Sequence, residues 1–71
     1  MSLSNKRPQR VATDRLWLAH GRWREAAGLV WARWFLFLAA EPDSRRSAFD
    51  AYLAALDAEE TEAARLACLL L

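Results

Sequence analysis

DRLWLAHGRWREAAGLVWARWFLFLAA, residues 14–40, is the stretch whose reading decides the fold. Within it Leu16, Ala19, Trp23, Ala26, Ala27, Val30, Trp34 and Phe37 recur at steps of three and four, the spacing that lines side chains along one face of an α-helix. Asp14, Arg15, Arg22, Glu25 and Arg33 fall on the opposite face. Thr13 stands where an N-cap belongs, with Asp14 in the first turn behind it. Gly21 and Gly28 each cost a helix about 1 kcal/mol relative to alanine. The pattern predicts one helix over 14–40, with a break near Gly21, and so three helices in all, as the alternative.

Downstream, Pro42 disfavours helical geometry at Glu41 and has no amide to continue the ladder. A second helix is expected over 44–70, capped by Asp43 or Ser44, or from a box formed by Ser47 and Asp50. Its apolar positions are Phe49, Tyr52, Leu53, Leu56, Ala63, Leu66, Ala67 and Leu70. Asp50, Asp57, Thr61 and Arg65 point away, and Glu59 and Glu60 flank the stripe. Upstream, residues 1–12 are polar and basic, which predicts a flexible arm carrying Lys6, Arg7 and Arg10 ahead of a single helical domain over 13–71. The fold expected is all-α: an antiparallel two-helix hairpin that pairs with a second copy as a four-helix bundle.

The pairing follows from composition. A chain of 71 residues has one small core at most, and such cores need a staple or a partner. One cysteine, Cys68, and one histidine, His20, exclude an internal disulfide and a zinc site of the cysteine–histidine type. Hydrophobic residues make up 55% of the chain and four are tryptophan, against a usual apolar share of about 45–50%. Two helices cannot enclose that much apolar surface, so a homodimer is the simplest expectation.

Residues 26–40 are apolar nearly all round, which signals burial. They are too few for a membrane span of about 20 residues, and Arg33 interrupts them, so integral insertion is not expected. Charge is divided between the halves. Residues 1–40 hold seven basic and two acidic side chains, net +5, and residues 41–71 hold three basic and seven acidic, net −4. Such halves suit an antiparallel hairpin or dimer. The arginine and alanine bias fits a small bacterial or phage protein, and without a signal-peptide pattern the expected location is cytoplasmic.

Chemistry has little to work with. His20 has Leu16, Trp17, Trp23 and Arg24 as helical neighbours, none a carboxylate or thiol, so no catalytic residue is assigned. Asp57, Glu59, Glu60 and Glu62 lack the spacing of a calcium loop or a Glu-x-x-His site and read as a solvated helix face. No metal and no cofactor is expected. Tryptophan and arginine dominate interface hot spots, so the expected function is a non-enzymatic protein–protein interaction or adaptor role, with Trp17, Trp31 and Phe35 as the contact surface. One alternative is a small DNA-associated regulator using Lys6, Arg7, Arg10, Arg15, Arg22 and Arg33, since interleaved arginine and tryptophan can hold phosphates and stack on bases. A helix lying on a membrane surface is the other.

Overall fold

The chain reverses direction at Ala40 and Glu41, and the residue types there explain how. In a computed structural model, which describes the backbone from Leu3 onward and side chains from Ala12 onward, α1 spans Leu3–Ala39 and α2 spans Pro42–Leu70. The Ala40 amide donates to the Phe37 carbonyl at 3.2 Å, tightening the end of α1. Glu41 then adopts extended geometry (φ −66°, ψ 157°), the conformation its following proline favours, and Pro42 opens α2. Proline fits the first helical position because its fixed φ is already helical and its missing amide would have had no partner there. The Ser44 amide donates to the Glu41 carbonyl at 2.9 Å to close the first turn.

The expected caps are therefore corrected. Glu41 occupies the N-cap position of α2 without a side-chain bond, and Asp43, Ser44 and Ser47 all lie inside the helix. Asp43 instead places a carboxylate in the first turn, where the helix dipole favours it. Thr13 is likewise interior, because α1 begins at Leu3. Between these two residues only Pro8 opposes helix, and its fixed φ is itself helical. Met1, Ser2 and the side chains of residues 3–11 lie outside the described residues, and the reading of a flexible arm carrying Lys6, Arg7 and Arg10 falls largely there. Gly21 and Gly28 are both within α1 and neither has a positive φ, so the three-helix alternative is not adopted.

The two helices pack antiparallel as a hairpin with extents of 65 × 17 × 11 Å. Positions of α1 that turn toward α2 follow the stripe read from the sequence and add Arg33 and Ala40. On α2 the inward set is Ala48, Ala51, Tyr52, Ala55, Leu56, Glu59, Glu62, Ala63 and Leu66. Both sets advance in alternating steps of three and four, as in a coiled coil. Alanine fills many of these places and lets the backbones approach closely. The two most buried of the described residues are Ala19 and Ala55, at 8% and 5% exposure.

Two features set the register. Near the turn, four rings close a cycle across the helices: Trp34 to Phe37 at 5.5 Å, Phe37 to Phe49 at 5.3 Å, Phe49 to Tyr52 at 6.2 Å and Tyr52 to Trp34 at 5.2 Å between centroids. Such tilted pairs contribute roughly 0.5–1.5 kcal/mol each beyond their buried area. About three turns before Trp34 on α1, the Trp23 indole Nε1 donates to Glu59 Oε2 at 2.7 Å.

Candidate interaction surface

The inward set on α2 coincides with only half of the apolar stripe that its sequence shows: Tyr52, Leu56, Ala63 and Leu66. Glu59 and Glu62 are half-buried against α1, while Phe49, Leu53, Ala67 and Leu70 from the expected stripe are exposed. α2 is thus rotated so that its most apolar side faces one flank of the hairpin. The cause lies in the contact itself: Glu59 is drawn inward by the Trp23 indole, and the small Ala55 beside it allows the approach. Glu59 and Glu62 are accordingly removed from the solvated acidic face expected of residues 57–62.

The same flank receives side chains from α1. Trp17, Trp31 and Phe35, the expected contact residues, are 72%, 64% and 61% exposed. Trp31 and Phe35 lie together with ring centroids 6.2 Å apart. Trp17 stands 14 residues earlier, about 21 Å along the helix, in a groove with Leu16, His20, Arg24, Leu66 and Leu70. Val30, Trp31, Trp34 and Tyr52 line a second depression nearer the turn, joining the two helices on this flank. Leu38 adjoins Trp31 on α1, and Phe49 and Leu53 continue the surface on α2, all of them exposed. The result is one aromatic face shared by both helices, with the four-ring cycle as its floor. Those rings already fill the space between them, so the cycle is packing rather than an open cage for a cationic ligand.

The opposite flank has different chemistry. Arg15 and Arg22 lie beside Arg65, Leu18, Cys68 and Leu69 along an open groove of 770 Å³. Arg65 also holds Glu62 at 3.2 Å. Of the arginines expected to contact phosphate, Arg15 and Arg22 are brought together here. Arg33 is a correction: it sits half-buried in the inward stripe three residues after Val30, not on the outer face. A long apolar stem makes such a position tolerable for arginine, since the methylenes can pack while the charged head stays in water. Lys6, Arg7 and Arg10 lie outside the described side chains.

His20 is exposed and stacks near Trp23, with centroids 5.9 Å apart. Thr61 Oγ1 donates to the Asp57 carbonyl at 3.0 Å within α2. Among the described residues no three histidine, cysteine, aspartate or glutamate side chains cluster as a metal would need, and no helix is long and apolar enough to cross a membrane. Sequence reasoning missed Glu59 as a partner of Trp23. A faint signal was present, since Glu59 falls three and four residues from Leu56, Ala55 and Ala63, on the stripe's own period. Comparison of the chain with protein-family models, with curated proteins and with solved structures finds no match.

Proposed function

We propose that this chain is a non-enzymatic interaction protein that acts by docking its aromatic flank onto a protein surface. The observation that carries this reading is the mismatch on α2: the outer half of its apolar stripe, Phe49, Leu53, Ala67 and Leu70, and the apolar flank of α1 meet on one face that neither helix covers. Trp17, Trp31, Phe35, Leu38, Phe49, Leu53 and Leu70 are all exposed by two-fifths or more, and a large exposed apolar patch marks an interaction site.

The expected experiment is light scattering of the full chain across a concentration range, repeated with a Trp31→Ala, Leu53→Ala double variant. Both side chains are exposed, so the helical circular dichroism signal should persist while association is lost. An oligomer that survives the double substitution unchanged would overturn the assignment of this face. Binding of the wild-type chain to anionic vesicles, abolished by the same double variant, would replace a protein partner with a membrane surface.

A second reading, DNA association, draws support from the convergence of Arg15, Arg22 and Arg65 on the opposite groove. Phosphate contacts there would give binding that weakens steeply with salt. Oligonucleotide binding that persists in an Arg15→Ala, Arg22→Ala variant would dismiss that site.

A further inference from the structure

We infer that the occupant of the aromatic flank is a second copy of this chain, laid with its turn at the same end, so that α1 of each copy lies over α2 of the other. The inference rests on the reading of that flank as an interface and adds its partner and geometry. A patch that must be covered by its own equal is covered by a two-fold axis, the commonest symmetry of soluble oligomers. Two such axes are available to a hairpin, one along its length and one across it. Charge decides between them. An axis across the hairpin would set the two α1 helices, each carrying Arg24 on this flank, side by side. An axis along it sets each α1, with Arg24, against the other copy's α2, with Glu60.

The geometry identifies the residues that would meet. An axis along the hairpin leaves heights unchanged, so whatever is level within one copy is level between copies. Trp23 bonds Glu59 in the inward seam, and Arg24 and Glu60 are the next residues on each helix, turned by one step toward the aromatic flank. Both are exposed. The one ion pair among the described residues is Arg65 with Glu62, and neither Arg24 nor Glu60 has an ion-pair partner among them. In the two-fold arrangement Arg24 of one copy faces Glu60 of the second, twice over. The apolar stretch nearer the turn then sets Trp31 against the region of Leu53 in the second copy, covering both.

The test uses two full-length variants, Arg24→Glu and Glu60→Arg. Each alone places like charges across the axis at two symmetric points and is expected to weaken self-association about tenfold, the order for two exposed charge contacts changing sign. Mixed in equal amounts they are expected to form a one-to-one heterodimer of wild-type affinity, read by native mass spectrometry, with circular dichroism reporting that each variant stays helical. That restoration can arise only between chains. A wild-type dimer whose two variants do not prefer each other would overturn this geometry while sparing the interface. A wild-type chain that stays monomeric throughout would overturn both.

Discussion

At the scale of single residues, the Trp23–Glu59 hydrogen bond is the polar contact that ties the helices together. Alanine and leucine contacts are nearly indifferent to a slide of one turn, whereas a donor and a carboxylate at 2.7 Å are not. Polar pairs in helical seams set register in this way. Replacing Trp23 with phenylalanine keeps most of the ring volume and removes the donor, leaving the half-buried Glu59 carboxylate unsatisfied. The expected loss in a urea melt is about 1–3 kcal/mol, and Glu59→Gln, which retains an acceptor, should lose markedly less. Equal losses in the two variants would show that the bond contributes little.

At the scale of the helices, close approach depends on the alanines at their contact. Ala19 and Ala55 are buried because neither helix presents bulk there, and the larger rings are displaced to the turn or to the flank. Ala55→Leu adds side-chain volume where no space exists. It is expected to destabilise the hairpin by about 1–3 kcal/mol, as overpacked positions do, measured as a lowered melting temperature. Helix propensity alone predicts almost no change, since leucine forms helix nearly as well as alanine. The experiment therefore separates packing from propensity. The turn obeys the same local logic: Pro42 ends one helix and begins the next, so two connecting residues suffice.

At the scale of the whole molecule, the hairpin is long, thin and nearly without an interior. An isolated hairpin with two buried alanines has little apolar burial to set against the conformational entropy of ordering its chain. In the proposed dimer a second copy across the aromatic flank would supply the missing burial, and Arg24 facing Glu60 would supply orientation. Association should consequently weaken by a few-fold between about 50 mM and 500 mM salt, as exposed complementary charges are screened. Sedimentation at several salt concentrations would show it. Strengthening with salt would mean that like-charged helices are adjacent and would reject the arrangement of α1 over α2.

The sequence alone determined that there are two helices, that they turn at Glu41 and Pro42, and which side of α1 faces inward. Those features are legible because helical period and proline geometry are local and act over a few residues. The tertiary structure decided that Glu59 and Glu62 turn inward, that Arg33 joins the seam, and that Phe49, Leu53, Ala67 and Leu70 of the α2 stripe face a flank rather than α1. Periodicity alone could not settle this, because a stripe shows only that some surface will be covered, and sliding or rotating one helix leaves every local preference intact. What broke the degeneracy was contact between residues far apart in the chain: an indole and a carboxylate 36 positions apart, and four rings that close only in one register.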